Sequence, residues 1–281
     1  MSAFLEPFQF EFFRNGSIAA VLVGALCGLI GVYIVLRGMS YIGHGLSHAI
    51  FGGAVVTYVM SWNFYIGAGI WGFLAALLIN QTVRRTRISA DAAIGVVTTA
   101  SFAIGVALVS RYRHFTRSFD AALFGNILGV TAQDVAVVAA VTLAVMAIIF
   151  FMYKQLLFTT FDSEVAKVYG VKTEWVDTLF SLALAASLIV SMQILGVTLI
   201  AAALVIPAIT ARLLTDSFNR MTILSTILGM LTGLIGMYLS YYIDVASGAT
   251  IVLVQASVFC VTLMISSLQK RVTRRLIHTD V

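Results

Sequence analysis

Charged residues are scarce in this sequence: only 10% of the 281 residues are charged, whereas 60% are hydrophobic. An ordinary soluble domain carries roughly a quarter charged residues, so this composition excludes a water-soluble fold. Because one helical span takes about 20 apolar residues, the chain has room for about eight or nine spans and little else. We therefore predict an all-α, polytopic membrane protein with a single transmembrane domain over residues 1–281.

Cysteine and histidine are also rare, and no phosphate-binding loop is present. Cys27 and Cys260 each lie inside an apolar run, which excludes a disulfide framework or a CxxC metal site, and we expect both to be small buried side chains. Four histidines are too few for the cluster of a membrane di-iron oxidase. Without a GxxxxGK[ST] motif the chain does not hydrolyse ATP through such a loop, so ATP-driven transport would need a separate ATPase subunit.

Long apolar runs predict membrane helices, since lipid offers the backbone groups no other partner. The runs lie near 17–36, 41–60, 64–83, 91–110, 134–152, 174–191, 194–211, 219–242 and 249–268. The segment 194–211 could be short or re-entrant, which leaves eight to nine spans. Residues 1–16 contain Glu6 and Glu11 and lack the order of a signal peptide, so we expect the first span to be retained.

Membrane topology explains the net charge of +5. The basic residues cluster at the ends of apolar runs and form no continuous patch that could bind nucleic acid. Successive clusters are two spans apart, which places them all in the cytoplasm and makes residues 269–281 a cytoplasmic basic tail. They comprise Arg37; Arg84, Arg85 and Arg87; Lys154, Lys167 and Lys172; Arg212 and Arg220; and Lys270 to Arg275. One group, Arg111, Arg113, His114 and Arg117, falls on the outer side and conflicts with this scheme.

Two histidines inside the second apolar run are the first candidates for a functional site, since ionisable residues at membrane depth are rare and usually functional. His44 and His48 are four residues apart, so they stack on one helix face about 6 Å apart along the axis. Such a pair could share a metal ion, or each ring could simply bond a neighbouring helix. Gly45 stands where a zinc protease has glutamate, which excludes that hydrolytic motif.

Asp244 is the second candidate, because a carboxylate suits a divalent cation. It could equally be a loop acid at the outer membrane boundary. His44 lies about 10 Å along a helix from Arg37, whereas Asp244 lies near the outer end of its own span. One site containing both would therefore need a broken or tilted helix, a feature of many transporters.

Two further residues have mainly structural interpretations. Asp91 directly follows the arginine cluster at 84–87 and is expected to open a helix, where the dipole favours an acid. Pro207 could kink a span, or end one and start a short interfacial helix that runs to Arg212.

Six sequence runs, in order along more than 200 residues, resemble the permeases of manganese, zinc and iron ABC importers. They are LRGMSYIGHGLSHAIFGGAV at 36–55, DAAIG at 91–95, LFGNILGV at 123–130, FDSEVAKVYGV at 161–171, GVTLIAAALVIPAITARLL at 196–214 and YLSYYIDVASGATIVL at 238–253.

The resemblance implies a multi-pass permease of the bacterial plasma membrane, with a fold like that of the vitamin-uptake class of ABC importers. It implies a homodimer on two cytoplasmic ATPase subunits, fed by an extracytoplasmic metal-binding protein. The chain would itself be no enzyme and would hold no permanent cofactor, the divalent transition metal being its substrate. The coupling helix that docks on the ATPase would be 207–214, with contacts from Pro207, Ala208, Thr210, Ala211 and Arg212.

The same resemblance implies that His48 and Asp244 bind the transported metal. It implies the same role for position 44, where this chain has His44. The family's usual residue at position 44 is aspartate. Nitrogen in place of oxygen shifts preference from manganese toward zinc, iron or other late metals. Because only neutral imidazole binds metal, affinity also falls in acid.

Two other functions remain open at this stage. A stand-alone ion-coupled transporter or channel would be favoured by membrane-embedded acids on several helices, and the sequence has too few. A siderophore- or cobalamin-type permease of the same architecture would need a wide path without metal ligands, against which the histidine pair argues.

Overall fold

The computed structural model describes residues 6–60, 62–86, 88–111, 125 and 127–279, and over these ranges it contains eleven α-helices and no strand. The helices are α1 (Glu11–Leu36), α2 (Ser40–Val59), α3 (Phe64–Arg85), α4 (Ala90–Arg111), α5 (Ala132–Phe151), α6 (Tyr153–Phe161), α7 (Ser163–Val168), α8 (Thr173–Leu195), α9 (Ile200–Leu214), α10 (Phe218–Ile243) and α11 (Ser247–Thr279).

Eight of the nine predicted apolar segments each lie on one helix, while 194–211 covers the end of α8, a break and most of α9; the all-α prediction is confirmed. Seven of them, α1, α3, α4, α5, α8, α10 and α11, are long and apolar enough to cross a membrane. Helix α2, which carries both histidines, is not among these seven. Helix α9 has only 15 residues, about 22 Å, so the segment expected to be short is indeed short.

The centre of the bundle is formed by α1 and α8, whose most apolar stretches are 72% and 67% buried, against 11% for α11. Helix α1 crosses α10 with no side chains between the backbones: Gly24 meets Gly229, and Gly28 meets Ser225. The Ser225 hydroxyl donates to the Gly28 carbonyl at 2.6 Å. Small residues at such crossings permit this close approach in lipid, which explains a large part of the glycine content.

The outer faces of α4 and α11 remain open within one chain. Val96 on α4 is 71% exposed and Leu253 on α11 is 63% exposed, so these apolar faces meet lipid or another chain. Cys27 on α1 is buried as predicted, but Cys260 is exposed on α11, so the prediction that both cysteines are buried is wrong for the second. An apolar run in a membrane protein does not separate lipid-facing from core-facing positions.

The basic loops meet at one end of the bundle, as their spacing predicts. Arg37 at the end of α1 pairs with Asp177 on α8 at 2.8 Å, and Arg84 on α3 pairs with Glu174 on α8 at 3.4 Å. We call this end the basic end. Helix α4 starts there with Ala90, so Arg111 lies at the opposite end, while Arg87, Arg113, His114 and Arg117 lie outside the described residues.

Helix α9 is continuous through Pro207, so of the two alternatives at this proline the structure agrees with a proline inside one helix and not with the start of a new one. Proline removes one backbone N–H and disfavours a helix interior, but here it is buried among packed neighbours that hold the helix together. Residues 269–279 of the predicted basic tail continue helix α11. Asp91 lies in the first turn of α4, as predicted.

Candidate metal site and coupling residues

The two histidines of α2 do come together. The ring centroids of His44 and His48 are 4.6 Å apart with the planes at 77°, and the His48 ring also lies edge-on to Phe102 of α4 at 5.2 Å. His44 is exposed, whereas His48 is partly buried and its Nδ1 has no hydrogen-bond partner. A free ring nitrogen beside a second imidazole is suited to metal binding, since each nitrogen binds an ion at about 2 Å.

Close packing of α2 on α4 fixes the direction of this pair. Gly45, between the histidines, lies against the side chains of Ile94 and Thr98, and Gly52 lies against the Ser101 carbonyl. A glutamate at position 45 would collide with α4. Gly45 therefore faces α4, and both imidazoles lie on another, open face of α2.

A break between α8 and α9 brings a backbone carbonyl to Ser47 of α2, and the sequence pattern did not reveal it. Helix α8 ends at Leu195, Gly196 takes a φ of 79°, and α9 begins only at Ile200. The Ser47 hydroxyl, between the two histidines, is 2.8 Å from the His44 carbonyl and 3.4 Å from the Val197 carbonyl. Unwound backbone of this kind lines ion sites in transporters. The only signal in the sequence was the lack of a polar loop between two short apolar runs.

Asp244 does not join the histidines. It caps α10 with a left-handed backbone (φ 57°, ψ 45°) and is exposed. This placement agrees with an acid at the outer boundary. Over the described part of the chain, no three His, Cys, Asp or Glu residues are grouped so that they could hold one metal ion.

Contacts along α1 show how far apart the two candidates are. Tyr241, one turn before the aspartate, packs on Phe13 with ring centroids 5.3 Å apart. At the histidine pair, Gly43 touches Leu204, which in turn meets Gly31. Phe13 and Gly31 are separated by about 18 residues of α1, or about 27 Å. Both α2 and α10 are unbroken. Neither therefore has the break that a single site containing the histidines and Asp244 would need.

A polar cluster at the end opposite the basic end was also missed by sequence reasoning. The Tyr65 hydroxyl on α3 lies 2.8 Å from the carboxylate of Asp134 on α5 and 2.5 Å from the side-chain oxygen of Gln193 on α8. Asp134 also completes a capping box with Thr131 at the start of α5. The cluster ties three helices together near the α8–α9 break.

The five predicted coupling residues lie in the second half of α9. Pro207, Ala208, Thr210 and Ala211 are buried, whereas Arg212 is exposed and lies 3.8 Å from Asp216. In contrast, helix α7 and the turn after it project from the basic end. Val168 is 85% exposed and Tyr169 75% exposed, and the Asp162 side chain caps α7 by accepting two backbone N–H bonds.

Comparison with known proteins places this architecture in a family. Residues 9–266 match the family model described as the ABC 3 transport family. The manganese transport system membrane protein MntC of Halalkalibacterium halodurans is 36% identical, covering 96% of this chain and 93% of that protein. A probable iron transport system membrane protein of Haemophilus influenzae is 35% identical over 95% of this chain and 98% of its own.

A solved structure agrees with these relatives. PsaBC from Streptococcus pneumoniae, in complex with Fab, matches with a TM-score of 0.83 and 35% identity, covering 92% of this chain and 94% of that one. The match extends over nearly the whole length in sequence and in structure. The chain therefore belongs to the ABC 3 transport family of multi-pass membrane permeases.

Proposed function

We propose that this chain is the membrane permease of an ATP-driven importer that carries a divalent transition metal, manganese or iron first, into the cell. The observation that carries the proposal is the imidazole pair of His44 and His48, with ring centroids 4.6 Å apart on a helix of an otherwise apolar bundle. The names of the relatives, which refer to manganese and iron transport, support the substrate class.

The proposed site binds metal weakly enough to release it. Two imidazoles are an open, incomplete set of ligands, and transport requires that an ion leave as readily as it enters. His44 is exposed in the single chain, so water or a second copy of the chain completes the set. A homodimer with the path between the two copies fits this exposure and the open apolar face of α4.

Asp244 acts separately from the histidines in this proposal. From the outer end of α10 its carboxylate attracts a cation delivered by an extracytoplasmic binding protein, before the ion reaches the histidine pair. This role needs only the exposed position of Asp244 and no shared coordination shell.

The ATPase partner is proposed to dock on the exposed surface of α7 and the following turn. Val168 and Tyr169 are large, exposed and beyond the ends of the spans, which is the mark of a protein-binding surface. Arg212 at the exposed end of α9 adds a contact at the same end. Pro207, Ala208, Thr210 and Ala211 transmit coupling only indirectly, through packing of α9 on α1 and α10.

Reconstitution with an ATPase subunit and a binding protein tests each part. His48→Ala and Asp244→Ala should each reduce ATP-driven metal uptake, while Glu174→Gln, at an exposed carboxylate of the basic end, should not. Val168→Asp should abolish association with the ATPase but leave the permease folded. Undiminished uptake by both His48→Ala and Asp244→Ala would remove the site assignment. Metal flux through the permease alone, without ATPase, would indicate a stand-alone transporter.

A further inference from the structure

A cavity of about 330 Å³ opens at the basic end among α1, α2, α3, α4, α6 and α8. This volume is at the lower end of small-molecule sites, which span about 300–1,000 Å³. Its mouth is polar, with Arg37, Asn80 and Asp177, and its deeper wall is apolar, with Leu46, Ala76 and Phe180. The cavity is therefore polar on the cytoplasmic side and becomes apolar toward the membrane centre.

Arg37 is the most unusual residue of this cavity. Its side chain is only 10% exposed; Nη1 pairs with Asp177 at 2.8 Å, Nε donates to Thr160 at 3.1 Å, and the guanidinium lies 4.6 Å from the centre of the Phe180 ring. Its Nη2 is buried and has no hydrogen-bond partner. A guanidinium has five N–H donors, and a buried unpaired donor is unfavourable, so this arginine is incompletely satisfied by the protein.

The charges around the cavity favour an anion over the transported cation. The only carboxylate that lines it, within the described residues, is Asp177. One oxygen of Asp177 pairs with Arg37 and the other lies 4.0 Å from Arg84. Two arginines thus neutralise this acid, and no free carboxylate remains for a divalent metal. A donor left over on a buried arginine recognises carboxylate or phosphate oxygens, which form strong charge-assisted bonds.

We propose that this cavity binds an amphipathic anion of the inner leaflet, with its anionic oxygens on Arg37 and its alkyl chain along Leu46, Ala76 and Phe180. The volume admits one chain, so the ligand is either one chain and the phosphate of an anionic phospholipid or a free long-chain carboxylate. Basic pockets between helices on the cytoplasmic side of membrane proteins bind lipid headgroups in this way. The site is independent of the histidine pair and of the proposed metal.

Ser181 permits a test that leaves Arg37 intact. It lines the cavity, and its hydroxyl donates only to the Asp177 backbone carbonyl in its own helix at 2.8 Å. Ser181→Phe therefore fills the cavity without leaving a partner unpaired. Ser257 on α11 makes the same type of bond to Leu253 at 2.8 Å but is exposed, so Ser257→Phe is the matched control. Arg37→Met is combined with Asp177→Asn so that no carboxylate loses its partner.

Native mass spectrometry of the purified permease would use phosphatidylglycerol, the diacylglycerol of the same chains, which has no phosphate, and palmitate as probes. We expect one equivalent of phosphatidylglycerol or palmitate to bind at least about tenfold more tightly than the diacylglycerol, as one charge-assisted hydrogen bond implies. Ser181→Phe and the Arg37→Met/Asp177→Asn variant should each remove this preference, and Ser257→Phe should keep it.

The two anionic probes distinguish the sources: tighter phosphatidylglycerol indicates a phospholipid, and tighter palmitate a free carboxylate. Equal binding of the diacylglycerol, or anion binding unchanged in Ser181→Phe, would overturn the proposal. Because Ser181→Phe alone can give this result, the test stands even if the arginine variant does not fold.

Discussion

The glycine crossing of α1 and α10 predicts a large loss of stability from the smallest possible substitution, Gly24→Ala. A methyl group at position 24 would overlap the carbonyl of Gly229, and its other neighbours are also backbone atoms, which no side-chain rotation can move. The two helices must therefore separate. Overpacking of this kind costs about 1–3 kcal/mol. Separation also strains the bond from Ser225 to Gly28, worth about 0.6 kcal/mol in a membrane protein.

The expected destabilisation is thus about 2–4 kcal/mol, or a decrease in Tm of roughly 5–15 °C by the scaling of soluble domains. Cys27, buried in α1, provides the assay: its reaction with a thiol dye on heating reports unfolding, in a Cys260→Ser background that removes the exposed thiol. Gly95→Ala is the control, because a Cβ at this exposed position of α4 meets nothing within 4 Å. Equal Tm values for the Gly24 and Gly95 variants would refute the backbone-contact reasoning.

Four further substitutions give distinct outcomes. His44→Asp should shift metal preference toward manganese, because a carboxylate oxygen replaces an imidazole nitrogen; uptake of each metal measures this shift. Asp177→Asn should lower the free energy of unfolding by about 1–2 kcal/mol, since it removes the partner of a buried arginine. In the same thiol assay, Glu174→Gln, at an exposed carboxylate, should change that free energy by less than about 0.5 kcal/mol. Tyr65→Phe should cost about 0.6–1.5 kcal/mol through its lost bonds to Asp134 and Gln193, and an unchanged Tm would show that these bonds contribute nothing.

The helices could be predicted from the sequence because lipid permits few alternatives. Each long apolar run became a helix, and the spacing of basic residues correctly grouped Arg37, Arg84 and the start of α8 at one end. The histidine pair followed from helix periodicity alone, since residues four apart always share a face.

The features that could not be predicted depend on contacts between distant segments. Hydropathy does not report that Gly196 breaks the chain within the buried part of the bundle, or that Asp177 balances an arginine 140 positions away. The two alternatives at Pro207 stayed open for the same reason: a local rule permits a helix to end at proline, but packing around α9 preserves it. The distance between Asp244 and the histidines likewise became clear only from the unbroken helices.

Metal uptake by the His48→Ala variant, in liposomes that contain the permease, its ATPase and the binding protein, tests the central claim most directly. The account predicts that ATP-driven uptake of manganese or iron falls by more than about tenfold, as loss of a metal ligand implies, while Tm and association with the ATPase are unchanged. Uptake at the wild-type rate in this variant would contradict the claim that the histidine pair carries the metal.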